Sequence, residues 1–266
     1  MDIDALRAAF DAQVRRNTAD LRPGVAEIRA TDRVVREQAV PGLGLSCVTW
    51  SGLDEHTADD AIAAQIEYFG RRGEPFEWQL LGYDEPADLG DRLVRAGLRP
   101  DEEEVLLFAE TARIAADVPP PAGIRLVDVQ DEAGVEAAAS TQEDLRPGGA
   151  RRARHVSRLL AGLADERAPL AVVVAMAGDE PVCSATISFG PGTEFAGLNS
   201  ANTRTGWRGR GIYRAIVAHR ARLAAARGFS HLRVETTTMS RPILRSLGFE
   251  AVTATTTYTW RPPAPA

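Results

Sequence analysis

An arginine- and glycine-rich turn at residues 208–212 has the residue types and spacing best suited to chemistry. Gly209 and Gly211 carry no Cβ, so the backbone can bend tightly there and approach a ligand closely. The turn leads into a long helical pattern, whose first N–H groups have no acceptor within the helix and lie at its positive end. Arg208 and Arg210 add full positive charges. The turn is therefore predicted to bind an anion, and a pyrophosphate suits it best.

The turn also matches a known signature. Arg208, Gly209 and Gly211 fit the R-x-x-G-x-G/A pattern of the Gcn5-related N-acetyltransferases (GNATs), so the chain resembles that family. Tyr213 stands where the pattern has its last small residue. In the family this loop cradles the pyrophosphate of acetyl-CoA, and the resemblance implies acetyl-CoA as the ligand here.

Two neighbouring stretches extend the resemblance, which covers residues 123–260 well and residues 1–112 more loosely. Residues 196–203 resemble the family's strand that enters the loop. Residues 236–249 resemble its second signature, a strand end and a short helix that closes on Leu-Gly-Phe. By resemblance, these stretches hold the cofactor together with the loop. The residues predicted to bind it are Ala201, Thr203, Arg208, Gly209, Arg210, Gly211, Ile212, Tyr213, Thr237 and Ser240.

Apolar periodicity and turn residues predict a mixed α/β (α+β) chain. The order strand, helix, strand, helix, strand occurs twice, at residues 43–108 and 195–260, and the second helix of each copy ends at a glycine, Gly97 or Gly248. We therefore expect two similar α/β halves. The family resemblance implies that each is a GNAT-like, mixed, mostly antiparallel sheet flanked by helices, with splayed strands in the C-terminal half. Residues 51–55 are acidic where the second copy has its arginines, so only the second half is predicted to bind CoA.

This division predicts the domain boundaries. Three consecutive prolines at residues 119–121 favour an extended, semi-rigid spacer. The predicted segments are a degenerate GNAT-like domain without a CoA loop at 1–112, a Pro-rich linker at 113–123, a GNAT acetyltransferase domain at 124–261 and a disordered tail at 262–266.

Acetyl transfer to an amine needs a positioned acceptor, a base for the ammonium proton and a hydrogen-bond donor for the leaving thiolate. GNATs often use a tyrosine of the second signature as that donor, but Leu244 stands at its position. The alternatives are Tyr213, Ser240, Tyr258 or solvent.

Three residues are candidate bases. Glu194 precedes the strand that enters the loop, where the family often has a carboxylate, although it also suits an exposed hairpin. Glu235 shares a strand face with Arg233, so an ion pair is its alternative role. His219 lies on the apolar stripe of the long helix, where packing is the alternative. The candidates carried forward as catalytic are Glu194, Glu235, Tyr213 and Ser240.

Recognition of the acceptor is expected from the turn between the first two helices of the second half. Glu143, Asp144 and Arg146 lie in this turn and are predicted to bind the substrate, a solvated loop being the alternative. Trp78 and Tyr83 of the first half are expected to form the other wall of the cleft.

Composition limits the partners. The chain has 266 residues, of which 44% are hydrophobic, and a formal net charge of -6 at pH 7. This acidic balance disfavours nucleic-acid binding, and no apolar run is long enough to span a bilayer. The start of the chain is acidic and amphipathic, unlike a signal peptide.

Cys47 and Cys183 lack metal-ligand spacing, so no metal is expected. Two isolated cysteines also favour a reducing, cytoplasmic setting. We expect a monomer or homodimer.

Together these patterns favour an N-acetyltransferase that moves the acetyl group of acetyl-CoA to a primary amine of a small molecule or peptide by direct attack. The missing tyrosine at Leu244 keeps open an alternative from another class, a non-catalytic acyl-CoA-binding sensor or interaction protein. A third possibility, aminoacyl transfer from a charged tRNA, is disfavoured by the acidic net charge.

Overall fold

The structure is a computed structural model that describes residues 2–18, 24–31, 33–115, 118–142, 148–166 and 169–263. Its helices are α1 (Ile3–Phe10, continued by a π-helical turn, Asp11–Arg15), α2 (Ala58–Arg72), α3 (Leu89–Arg95), α4 (Thr111–Ile114), α5 (Glu132–Ser140), α6 (Gly149–Ala164), α7 (Ile212–Ala226) and α8 (Arg241–Leu247). Its strands are β1 (Val25–Ala30), β2 (Val34–Ala39), β3 (Ser46–Ser51), β4 (Phe76–Leu81), β5 (Arg99–Pro100), β6 (Glu104–Glu110), β7 (Ile124–Asp128), β8 (Leu170–Ala177), β9 (Glu180–Phe189), β10 (Phe195–Thr203), β11 (His231–Thr236) and β12 (Glu250–Trp260).

The strands form one mixed sheet in the order β1-β2-β3-β4-β12-β6-β11-β10-β9-β8-β7, with β5 beside β12. Only the β3/β4 and β10/β11 pairs are parallel among the described strands. Strands β6, β8 and β9 have runs of consecutive buried residues, so the sheet buries both faces. Helices α2, α3, α4, α7 and α8 cover one face, and α1, α5 and α6 cover the other. The predicted α/β fold is confirmed. No helix in the described ranges has the length and apolar character that a membrane crossing requires.

The predicted repeat is present, as β3–α2–β4–α3–β6 and β10–α7–β11–α8–β12. The two copies exchange their last strands. Strand β6 of the first copy pairs with β11 of the second, and β12 of the second pairs with β4 of the first. The exchanged strands also pair with each other, so they form the centre of the sheet.

The exchange joins the two halves through their cores. Tyr258 and Trp260 of β12 are buried in the apolar cluster beneath α2 and α3 of the first half. The predicted linker begins in α4, whose Ile114 is buried in the same cluster as α7. Periodicity along one strand cannot reveal which partner that strand joins. Both halves therefore share one sheet. The domain boundaries at 112 and 123 stay predictions.

Trp260 gives a test of this exchange, because its ring lies 5.8 Å from that of Phe76 and against Gly70 of α2. We expect Trp260→Ala to lower the free energy of unfolding by about 3–5 kcal/mol. Urea denaturation measures this free energy of unfolding. Amide hydrogen exchange should also become faster across α2, although α2 is far from Trp260 in the sequence. The exposed neighbour Arg261 supplies the control, since Arg261→Ala should have an effect within about 0.5 kcal/mol. Unchanged protection of α2 in Trp260→Ala would contradict the shared core.

Candidate functional site

The parallel strands β10 and β11 separate after a short paired segment. Their register ends at Gly197 and Arg233. On its other side, β10 loses register with β9 between Asn199 and Asn202, and Ser200 has a positive φ of 50°. This bulge leaves Ser200 and its neighbour Ala201 without register partners, as expected where an extra residue enters a ladder. A gap lined by free backbone therefore opens between the strands, which is the splay predicted for this half.

The arginine-rich turn lies where β10 reaches α7. Gly209 and Gly211 have φ values of 73° and 81°, in the left-handed region that favours glycine. A Cβ at Gly209 would meet nothing within 4 Å, so the turn is open to a ligand. The first backbone bond of α7 runs from Ala215 N to Gly211 O at 3.2 Å. The N–H groups of residues 212–214 thus point out of the helix start without an internal acceptor.

A cavity of about 470 Å³ occupies this gap. All ten residues predicted to bind the cofactor line it: Ala201, Thr203, Arg208, Gly209, Arg210, Gly211, Ile212, Tyr213, Thr237 and Ser240. The sequence analysis missed five further lining residues: Asn202, Trp207, Arg214, Met239 and Ile243. Trp207 directly precedes the arginine turn, so position alone could have drawn attention to it. The structure brings the predicted residues together, and their role in binding stays a prediction.

The two arginines of the turn are exposed at the mouth of the cavity. Arg208 Nε donates to the Thr203 carbonyl at 3.2 Å. The Arg210 guanidinium stacks 4.6 Å from the centre of the Trp207 ring, whose Nε1 donates to Glu180 at 3.3 Å. Trp207 therefore holds Arg210 by a cation–π contact, which leaves most guanidinium N–H groups available to an anion.

Tyr213 lies in the cavity wall with its hydroxyl near both Ser240 and the Arg220 guanidinium. Burial raises the pKa of Tyr213, and the charge of Arg220 opposes that rise. Ser240 occupies the N-cap position of α8, but its hydroxyl makes no capping bond and instead bonds the Thr236 hydroxyl.

Arg220 was not identified from the sequence. It is buried on α7, only 1% exposed, and its guanidinium donates to Thr186 O at 2.9 Å and to Asn199 O at 3.4 Å. Within the described residues it has no carboxylate partner. Burial lowers the pKa of Arg220, because the charged form is poorly solvated. Arg220 lies four residues after Ile216, on the apolar stripe of the helix, so spacing was a signal for its burial. It was passed over because a helical arginine is usually solvated.

The two predicted carboxylate bases lie outside the cavity lining. Glu194 is exposed at the start of β10 and exchanges hydrogen bonds with Gln13 at 2.8 and 3.0 Å. The nine-residue strand separates it from the turn by about 30 Å at roughly 3.3 Å per residue. Glu235 accepts a hydrogen bond from Gln79 Nε2 at 2.8 Å, and Arg233 is 4.0 Å away. The pairing with Arg233 is thus weaker than the sequence suggested.

Other predicted residues have structural partners. His219 Nε2 lies 2.7 Å from Asp128 Oδ1, a polar contact in place of the expected packing. The Tyr258 hydroxyl lies against Gly90 in the first half, far from the cavity in the fold.

The prediction that Trp78 and Tyr83 form a cleft wall is wrong for Trp78. That side chain is fully buried beneath α2 and α3, because its strand face points to those helices. The Tyr83 hydroxyl donates to Asp11 at 2.9 Å and is tied to the π-helical turn. Glu143, Asp144 and Arg146, predicted to bind the substrate, lie outside the described residues.

The end of α5 is fastened to the end of β10. The Asn202 amide donates to the Thr141 carbonyl, and Arg204 Nη2 donates to the Ser140 carbonyl at 3.3 Å. These side chains satisfy carbonyls that a helix end leaves without partners. They hold the end of α5, at Ser140 and Thr141, close to the cavity.

Comparison with known proteins gives the fold a name. No family model and no curated protein matches the sequence. A functionally unknown conserved protein from Staphylococcus epidermidis matches with a TM-score of 0.70 at 11% identity, over 91% of this chain and 96% of that one. A GCN5-related N-acetyltransferase from Kribbella flavida matches with 0.66 at 15%, over 99% and 96%. A tandem GNAT protein from the clavulanic acid biosynthesis pathway matches with 0.62 at 15%, over 92% and 86%. This chain has the tandem GNAT fold.

The first GNAT half differs from the second at the corresponding helix start. Helix α2 takes the place of α7, and Asp54 accepts hydrogen bonds from the backbone N–H groups of His56 and Thr57 at 2.9 Å. Asp59 and Asp60 add negative charge in the first turn. Carboxylates thus occupy the place that an anionic ligand would take, and they repel it.

His155 on α6 gives this region a predicted pH dependence. It contacts Gln142, next to the predicted substrate turn, at 3.0 Å. Burial, helped by the charge of Arg158, lowers the pKa of His155 to about 4. As the pH falls, His155 therefore takes up its proton in the unfolded chain before it does so in the folded chain. We expect the free energy of unfolding to decrease as the pH drops from about 6.5 to 4.

His155→Gln should flatten this fall when urea unfolding is followed at several pH values. The exposed His56 supplies the control, because His56→Gln should keep the wild-type slope. An equal slope in wild type and His155→Gln would contradict the assignment.

Proposed function

We propose that this chain is an N-acetyltransferase that moves the acetyl group of acetyl-CoA to a primary amine by direct attack. The observation that supports it is the cavity between β10 and β11, whose lining contains every residue that the family resemblance assigns to the cofactor. The chain also has the fold of the GNAT enzymes.

The residues present suit such a donor. The open turn at Gly209 and Gly211 and the free N–H groups of α7 offer a cup for a pyrophosphate, and Arg208 and Arg210 add charge at its rim. The unpaired backbone at Ala201 can bond the amide groups of the pantetheine arm. When bound, acetyl-CoA supplies an activated thioester.

The reaction is balanced without another reactant. The amine nitrogen forms a bond to the thioester carbon, and the carbon–sulfur bond breaks with its electron pair on sulfur. The nitrogen loses one proton and the thiolate takes up one proton to become the thiol, so the proton count balances. Of the candidate acids, Tyr213 and Ser240 line the cavity. Glu235 and Glu194 do not line it, so either would accept the ammonium proton through water.

A second function has specific support. Leu244 is fully buried at the family's tyrosine position, and no carboxylate is among the cavity-lining residues that the structure describes. Both features suit a protein that binds an acyl-CoA without using it. Such a sensor would share the fold and the cavity but release no thiol in response to amines.

Calorimetry with CoA tests the site. Gly211→Glu places a carboxylate in the cup, and we expect affinity at least about a hundredfold below that of wild type, because like charges in contact cost several kcal/mol. Gly73→Glu is the matched control, since Gly73 also has a positive φ (64°) and open surroundings, but lies at the end of α2. Gly73→Glu should bind CoA like wild type. Equal affinity of the Gly211 variant, or no binding by wild type, would refute the site.

Thiol release separates the enzyme from the sensor. Wild-type protein with acetyl-CoA and a panel of primary amines, including antibiotics, polyamines, amino acids and peptides, should release thiol faster than without amine. A rate at background for every amine, with CoA binding intact, favours the sensor.

A further inference from the structure

Arg220 is a buried positive charge at the point where the sheet opens. Outside its own helix, where it bonds Ile216 O at 3.4 Å, it donates to the carbonyls of Thr186 and Asn199, the last register pair of β9 and β10 before the bulge. A buried guanidinium without a carboxylate is costly, because neutral carbonyls only partly replace water.

The first half shows how the same protein treats another buried arginine. Arg15, also 1% exposed, donates to the Thr49 carbonyl of β3 at 2.9 Å. Two hydrogen bonds at 2.6 and 2.8 Å join it to the carboxylate of Asp84, and Asp11 lies 3.0 Å away. Arg15 is neutralised within the structure. Arg220, in the half that has the open turn, is not.

Arg220 belongs to a polar chain that crosses the gap between the splayed strands. The guanidinium reaches the Tyr213 hydroxyl, which also reaches Ser240. Ser240 in turn bonds Thr236 at the end of β11. The chain thus runs from β10 to β11 beneath α7, where backbone pairing between the strands has ceased.

The guanidinium end of this chain lies away from the arginine turn. Tyr213 directly follows the turn, but its hydroxyl lies near Arg220, whose partner Asn199 is at the other end of the lining stretch of β10. Asn199, which Arg220 contacts, precedes the lining residue Ala201 by two positions, or about 6.6 Å of strand. Tyr213 and Ser240 line the cavity, whereas Arg220 is behind them and does not. A ligand whose phosphates bind at the turn would therefore present its far end to the Tyr213 hydroxyl, with a buried cation behind that hydroxyl.

A fixed cation in a water-poor site favours negative charge that develops nearby, since it needs no reorganisation when the charge appears. The far end of an acyl-CoA is its sulfur, which becomes negative as the carbon–sulfur bond breaks. On the basis of the proposed function, we propose that Arg220 is a positioning residue that holds the Tyr213 hydroxyl toward this sulfur and, through it, stabilises the leaving thiolate. The Tyr213 O–H donates a hydrogen bond and keeps its proton.

The pKa of the CoA thiol bound to the protein tests this role, and it can be read from the ultraviolet absorbance of the thiolate without any acceptor amine. In wild type the pKa of the bound thiol should be at least about one unit below that of free CoA, a tenfold gain in thiolate at neutral pH. Arg220→Met and Tyr213→Phe should each remove most of the shift, and Arg220→Lys should retain part of it. Arg227→Met, an exposed arginine at the end of the same helix, should leave it unchanged.

The outcomes separate this role from a structural one and from the proposed function. If CoA binds and its thiol has the pKa of free CoA, the role of Arg220 is overturned while the binding site stands. If Arg220→Met only lowers the melting temperature and keeps the shift, Arg220 is structural and the inference is wrong. Should Arg220→Met fail to fold, Tyr213→Phe decides, because a shift that survives it refutes action through Tyr213. If CoA does not bind to wild type, the proposed function falls and this inference falls with it.

Discussion

The site depends on the loss of backbone pairing between two parallel strands. After Gly197 and Arg233, β10 and β11 no longer hydrogen-bond, and the bulge at Ser200 interrupts the ladder on the other side of β10. Buried backbone groups without partners are costly, so something must take them up. Arg220 bonds the carbonyls of Thr186 and Asn199 beside the bulge, and the gap between β10 and β11 is left as a cavity. Regular backbone pairing in the surrounding strands offsets the free-energy cost of this local loss of pairing.

The exchange of last strands explains how that order is maintained. Strand β6 lies against β11 on the side away from the gap, and β12 lies against β6. Strand β11 is therefore fixed by a complete antiparallel ladder contributed by the other half, while its opposite edge diverges. The aromatic residues of β12 are buried in the first core, so the support for the open strand is anchored in both halves.

Local signals in the sequence predicted most of the fold and the lining of the site, because periodicity and glycine position act over a few residues. The turn at Gly209 and Gly211 was predicted in this way, whereas the splayed strands and the place of Tyr213 and Ser240 in the lining followed from the family resemblance. The pairing of the strands could not be predicted, because nothing in the sequences of β6 and β12 indicates that they pair with strands of the other half. Arg220 was missed because burial of a charge depends on what packs over it. Glu194 was placed at the site by analogy, and the length of β10 separates it from the turn.

The shared sheet also bears on how such a chain can change over generations. The first half has carboxylates where the second has its open helix start, and they would repel an anion there. Yet that half supplies β6 to its neighbour and receives β12 in return. Deleting it would expose the flank of β11 and strip the burial partners of Tyr258 and Trp260. Each half thus serves as scaffold for the other, and neither part can be removed without exposing strands and core residues of the part that remains.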